Sequence, residues 1–466
     1  MHAFKRALID FAKKRTDVVN VQRKHEIWWP YICTAPSNKQ QSQFTITKQM
    51  CSCLSSEAGT TDRPTKTTSR SKDSVKKNDQ ESESVSTIAD LQVQMKSSRS
   101  KNRHSYVFRE DVAEKVAATI LKHRKNPHAP VLDLLAGPGL VSRQFLRQGV
   151  SRVVALEMHA GCTEFLKAVQ EEFGSDRFYF FSWHMVNLYL KLHAAPNSER
   201  VRSFLEMESQ VADLLLQASS PDMDVPYSLV CLGDKNNNEN FVFYIVRNLP
   251  NEDPIVSHGH VEFFFLAHPR LKHKVDFVAS IQKTSDGVSS VARDKLGGTH
   301  FGYIHAFIHL FYDIEVLEQF NADDFCPPFI SIKGKQIQDK HIDASKRLLI
   351  KMQLKRNVEE ILPLQHHTPF LHFLYQVYKK KKQRTIPALE MLIPGSGLRM
   401  LAHGFTMMDI IIWSNPEEFV KLYKAAIHWP EFVSSPLHNY MMMKMTGSSA
   451  ENSLSDDDEH LDNEAA

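Results

Sequence analysis

Asp133, Gly137, Gly139 and Glu157 are the side chains whose types and spacing could hold a nucleoside. The first three lie in VLDLLAGPGLVS (Val131–Ser142), where an apolar run breaks into Ala136-Gly137-Pro138-Gly139. Glu157 ends a second apolar run, RVVALE, about twenty residues after the glycines. Small residues in such a loop let a ligand approach the backbone closely, and an acid at the end of the next strand can accept two ribose hydroxyls. The sugar could belong to a dinucleotide or to S-adenosylmethionine, and the competing reading is a glycine turn with a strand-end surface acid.

These residues need elements to position them. Strands are expected at 130–135, 152–157, 177–182, 240–248 and 261–267, with helices around 139–149, 159–173, 184–193 and 200–217. This alternation predicts a doubly wound α/β sheet covered on both faces. Helices are expected near 269–284 and 299–311, and two late strands near 313–319 and 328–333 flank Cys326-Pro327-Pro328. Beyond Gly334 the pattern reads as helices over 343–361, 368–380, 386–393 and 416–426. The domain reading is therefore a presequence-like segment 1–35, a flexible linker 36–105, an α/β domain 106–335, a helical domain 336–446 and an acidic tail 447–466.

The 466 residues carry a formal charge of +3, but the charge is segregated. Lys and Arg outnumber Asp and Glu by roughly two to one before Tyr106. After Lys444 there are only acids: Glu451, Asp456, Asp457, Asp458, Glu459, Asp462 and Glu464. A basic arm suits nucleic acid or an import receptor, and the acidic end suits a solvated tail. Phe4, Leu8 and Phe11 fall on one helical face among Lys5, Arg6, Lys13, Lys14 and Arg15, as in a mitochondrial presequence, with Asp10 against the pattern. Cys33, Cys51, Cys53, Cys162, Cys231 and Cys326 form no C-x-x-C pair, so a disulfide scaffold or zinc site is not expected. His305 and His309 are four apart but lack the Glu-x-x-His context of a metal site. No run of eighteen apolar residues predicts a membrane span.

VLDLLAGPGLVS, RVVALE and the turn Asn248-Leu249-Pro250 resemble the rRNA adenine dimethyltransferases. HLFYDIEVLEQFNADDFCPPFISIKG and TPFLHFLYQVYKKKK…IPALEMLIPGS are most similar to the mitochondrial branch of that family. The resemblance covers about residues 106–430. It implies a class I S-adenosylmethionine-dependent methyltransferase (Rossmann-like) sheet with a C-terminal α-helical domain, and nucleic acid in a basic cleft. By the same resemblance Asp133, Gly137, Gly139 and Glu157 hold S-adenosylmethionine, and Ser182 stands where the family has its adenine-binding Asp. Leu135 occupies the position of the family's first loop glycine. Asn248, Leu249 and Pro250 match the catalytic turn, which in active members continues into an aromatic residue; here Asn251 follows. A turn of this kind accepts the N–H bonds of an adenine amine, while the aromatic ring holds the flipped base by stacking. Asn248 keeps the acceptor and Asn251 provides no platform.

The run Lys379-Lys380-Lys381-Lys382-Gln383-Arg384 follows an aromatic helix carrying Phe370, Phe373, Tyr375 and Tyr378. Alone it reads as a solvated charge run; beside the family's cleft it reads as a set of phosphate ligands. Two functions follow from the resemblance. One is a transcription initiation factor in the mitochondrial matrix nucleoid that joins mitochondrial RNA polymerase and helps melt promoter DNA. The other is a dimethyltransferase of adjacent adenines in mitochondrial small-subunit rRNA. A small-molecule methyltransferase fits less well, because of the basic run and the helical segment.

Overall fold

The computed structural model describes residues 87–97, 104–182, 199–219, 224–233, 241–242, 245–246, 261–283, 302–327, 343 and 345–446. They lie within one compact unit, Ser84–Ala466. Segments 1–35 and 447–466, the turn Asn248–Pro250 and the strand expected at 328–333 fall outside the described residues.

The chain enters through α1 (Ile88–Ser97), β1 (Tyr106–Val107) and α2 (Glu110–His123). The crossover units follow: β2 (Val131–Leu134), α3 (Leu140–Arg147), β3 (Val153–Glu157), α4 (Thr163–Phe173), β4 (Phe178–Ser182), α5 (Glu199–Gln217), β5 (Ser228–Cys231) and β6 (Glu262–Ala267). Then come α6 (Pro269–Lys283), α7 (Tyr303–Phe311), β7 (Tyr312–Asn321), β8 (Phe325–Cys326) and β9 (Lys346–Leu354). The 7-stranded sheet runs β4-β3-β2-β5-β6-β9-β7, and a 2-stranded sheet joins β1 to β8. The five crossover strands pair in parallel, whereas β9 pairs antiparallel with both β6 and β7. Helices on both faces explain why β2, β3, β5 and β6 are buried at every position and read as apolar runs rather than alternating ones. The order turns back between β2 and β5, and a crevice opens at the carboxyl ends of strands at such a switch point.

Three expectations are corrected. The helix expected within 343–361 is strand β9, so the division at 335 would cut through the sheet. Its residues KRLLIKMQL are largely good helix formers, and an interior strand buried on both faces shows no alternation to oppose that preference. The strand expected at 240–248 is not one: Phe241, Val242, Ile245 and Val246 are helical, and the strand beside β2 is β5, at 228–231. Finally, the flexible linker expected over 36–105 contains α1, with Leu91 and Met95 buried. Thr87 and Asp90 cap it reciprocally: the Asp90 N–H donates to Thr87 Oγ1 and the Thr87 N–H to Asp90 Oδ2, both at 3.1 Å.

At the amino ends of the strands, the wholly buried Glu262 accepts from Lys351 Nζ at 2.7 Å and ties β6 to β9. Past the sheet run α8 (Val358–Ile361), α9 (His367–Tyr378), α10 (Thr385–Glu390), α11 (Gly397–Ala402), α12 (Pro416–Ala426), α13 (Pro430–Val433) and α14 (Pro436–Thr446). Phe370, Phe373, Phe419 and Tyr423 pack ring against ring between α9 and α12. Phe307 and Phe311 of α7 reach His367 and Phe370, joining this helical layer to the sheet side.

Candidate nucleoside pocket

The turn between β2 and α3 is built from backbone conformations that side chains resist. Leu135, Gly137 and Gly139 all have positive φ, at 65°, 60° and 77°. For Leu135 this costs on the order of 1 kcal/mol or more, which buried packing must offset. Its N–H donates to Leu156 O at 2.8 Å, pinning the turn to β3. The two glycines do different work. A Cβ on Gly139 would stand 2.9 Å from Leu166 Cδ2, so this glycine lets α3 pack on α4. A Cβ on Gly137 would stand 2.7 Å from Tyr106 Cδ1, so this one admits a ring.

Asp133 points into the protein. It is buried, and Ser142 Oγ donates to its Oδ2 at 2.6 Å, fastening β2 to α3. Burial pushes its carboxyl up to about 7, with the Ser142 bond opposing the rise and the Glu157 charge adding to it.

Glu157 ends β3 facing the turn. Its Oε2 accepts the Gly137 N–H at 2.8 Å. Oε1 accepts the N–H groups of Met158 and His159 at 2.8 and 2.7 Å and the Tyr106 hydroxyl at 3.1 Å. Burial raises its pKa against all four of these bonds. Tyr106 is held well above an ordinary phenol, by burial first and then by the Glu157 charge, so it remains a donor. Ser182, the exposed last residue of β4, pairs with Glu157 in register, so the two lie side by side on the carboxyl edge of the sheet.

Asn248, Leu249 and Pro250 are outside the described residues, and the described residues just before them are helical. The residues following the strand beside β2 are Leu232 and Gly233. Gly233 O accepts the Ser105 N–H at 3.1 Å, and a Cβ there would meet Ser105 O at 2.6 Å. Ser105, Tyr106 and Gly233 were not singled out from the sequence. A short apolar run ending in Gly233-Asp234 was the available signal for the last, and local sequence carries none for Tyr106.

The basic run caps the carboxyl end of α9. Lys379, Lys382 and Arg384 are exposed, Lys379 Nζ lies 4.7 Å from the Tyr375 ring centre, and Lys380 Nζ reaches Met391 Sδ at 3.1 Å. Lys381 is half-buried. The pKa of His305, whose Nδ1 accepts the Gly302 N–H at 3.2 Å, is lowered well below an ordinary histidine. Burial is the largest cause, with Lys274, Lys381 and Arg270 adding to it against the Gly302 bond. Charges from α6 and from the basic run are therefore both felt at His305. Among the described residues, no three His, Cys, Asp or Glu side chains converge as metal ligands, and no helix is long and apolar enough to cross a membrane.

Strand order, the antiparallel β9 and a glycine turn facing a strand-end acid together define a class I methyltransferase fold. No protein-family model matches the chain, and neither does any curated protein. Among solved structures it is similar to the 23S rRNA methyltransferase ErmE, at 12% identity over 68% of this chain and 98% of that one, with a TM-score of 0.38. It is also similar to a dimethyladenosine transferase from Plasmodium falciparum, at 10% identity over 67% and 94% of the two chains, with a TM-score of 0.39. The fold assignment rests on the strand order rather than on these overlaps.

S-adenosylmethionine does not fit the pocket in this arrangement. Three donors of its own chain crowd Oε1 of Glu157 and one more binds Oε2, and the space over Gly137 holds the Tyr106 ring.

Proposed function

We propose that this chain is a nucleic-acid-binding factor on an rRNA adenine dimethyltransferase scaffold. The particular protein we infer is the second paralogue of mitochondrial transcription factor B (mitochondrial dimethyladenosine transferase 2). In this reading it acts in the mitochondrial matrix, where it joins mitochondrial RNA polymerase and helps to open promoter DNA. The observation that carries the nucleic-acid reading is the exposed basic run at the carboxyl end of α9, with Lys379, Lys382 and Arg384 turned to solvent. α6 begins directly beyond the carboxyl end of β6, so its first-turn Arg270 stands on the edge of the sheet that also bears Glu157 and Gly137. Consecutive cations facing solvent repel one another, and a phosphate backbone relieves that repulsion while releasing counterions. The charges of Arg270 and Lys274 on α6 and of Lys381 in the run all bear on His305.

The test is promoter-dependent runoff transcription with mitochondrial RNA polymerase, comparing the unaltered chain with one carrying Lys274→Ala, Lys381→Ala and Lys382→Ala. Runoff product is expected to fall together with affinity for the opened strand. Unchanged runoff and binding would refute the reading.

A second reading, a dimethyltransferase of adjacent adenines in small-subunit rRNA, is favoured by the register of Glu157 beside Ser182. It requires Glu157 to exchange its internal donors for ribose hydroxyls. Methyl incorporation into an rRNA hairpin would decide for it.

A further inference from the structure

The absence of a side chain at Gly137 opens a space, and the chain fills it itself. A Cβ at that position would lie 2.7, 3.0 and 3.1 Å from Cδ1, Cγ and Cβ of Tyr106. The ring therefore makes the close approach to the loop backbone that a loop glycine otherwise allows to a ligand. The hydroxyl completes the substitution. Each carboxylate oxygen has about two lone-pair sites; Tyr106, Met158 and His159 all donate to Oε1 of Glu157, and Gly137 donates to Oε2. A ribose diol would need to displace some of them.

Tyr106 is held in place from both sides. Tyr106 and Val107 pair with Cys326 and Phe325. Ser105 donates its N–H to Gly233 O and its hydroxyl to Pro327 O, the latter at 2.7 Å in a buried position. α1 covers the turn after Glu157: Leu91 Cδ1 lies 2.8 Å from where a Cβ on Gly161 would stand, and Cys326 Sγ lies 3.9 Å from Gln92 O. Two elements that precede the crossover units thus close over the carboxyl end of β3.

We propose that Tyr106 determines what this pocket accepts: its ring on Gly137 and its hydroxyl on Glu157 take the place of a nucleoside. S-adenosylmethionine and S-adenosylhomocysteine are excluded while 106–107 stays paired with 325–326 and Ser105 with Gly233 and Pro327. The inference rests on reading the β2–α3 turn and Glu157 as a nucleoside pocket. It concerns occupancy of that pocket and not the basic edge.

The test is calorimetric titration of the full chain with S-adenosylmethionine and with S-adenosylhomocysteine. Four proteins are compared: the unaltered chain, Tyr106→Ala, Tyr106→Phe and Ser105→Ala, which loosens the anchor without touching the pocket. If the closed arrangement holds at least nine-tenths of the population, opening it raises affinity about tenfold or more. Tyr106→Ala is expected to show that gain, and Ser105→Ala and Tyr106→Phe smaller ones. Adding Glu157→Gln to Tyr106→Ala should remove the gain. Thermal unfolding and far-ultraviolet circular dichroism establish that each variant folds. Equal or weaker binding by Tyr106→Ala than by the unaltered chain would overturn the proposal and leave the pocket reading standing. No binding by any folded variant would overturn both. Should Tyr106→Ala fail to fold, Tyr106→Phe and Ser105→Ala decide, and affinities equal to the unaltered chain's would overturn the proposal.

Discussion

Asp133→Asn should make the protein more stable above neutral pH and flatten its stability profile. The folded carboxyl stands at about 7 instead of 3.8, because burial penalises its charged form more than the Ser142 hydroxyl stabilises it. Between those two values the folded chain binds more protons at this site than the unfolded chain, so stability falls as pH rises. The loss begins near the unfolded value and is complete above about pH 7, at no more than about 1.4 kcal/mol per pH unit and about 4 kcal/mol in all. Asparagine keeps an oxygen to accept the 2.6 Å Ser142 bond and has no charge to bury. The assay is urea denaturation of both proteins from pH 4.5 to 8.5, taking the difference between them so that other titrating groups cancel. The difference should grow in favour of Asp133→Asn as pH rises and level off above pH 7. Ser142→Ala, which removes the opposing bond, should extend the fall to higher pH. A difference that does not change with pH would refute the claim that this carboxyl is held proton-bearing by burial.

Lys351→Met should destabilise by up to about 3 kcal/mol, since the buried Glu262 then keeps only the Lys125 N–H, the Ser228 hydroxyl and the nearby Arg124 charge; chemical denaturation would show it. Adding Glu262→Leu should recover part of that loss, and strictly additive costs would argue against the 2.7 Å pair as a unit. Gly137→Ala should cost more than about 1 kcal/mol, because an L side chain at φ 60° is strained and its methyl meets the Tyr106 ring. Combining it with Tyr106→Ala should cost less than the two changes apart, as read from thermal unfolding. Replacing Arg270, Lys274 and Lys381 with alanine should lower the log–log salt dependence of duplex binding by roughly one for each phosphate no longer neutralised; fluorescence anisotropy across a salt series would detect an unchanged slope.

The β2-turn-α3-β3 unit could be read from the sequence because its signals are local: a four-residue apolar strand, glycines where φ is positive, and an acid at the next strand end. β5 could not, since the short apolar run Tyr227–Leu232, broken only by Ser228, fits a strand or a helix equally well. The aromatic and β-branched run ENFVFYIV then drew the strand assignment away from it, although its described residues are helical. β9 was hidden by its own helix-forming composition, overridden by strand partners on both sides. At the pocket, Glu157 was legible from its spacing, whereas its hydroxyl donor lies 51 residues earlier in the chain and has no periodic signature. The charges felt at His305 likewise come from α6 and the run after α9, which only the fold brings together.

β9 also bears on the order in which the protein is made. Synthesis runs from the amino end, and β7 finds its sheet neighbour only in β9, which is translated after it. Until residue 354 has left the ribosome, β6 presents a row of unpaired N–H and C=O groups and β7 has no neighbour to pair with. A nascent chain stopped before that point would be a ready target for chaperones, and a truncated transcript ending near residue 335 would encode a sheet with an open seam.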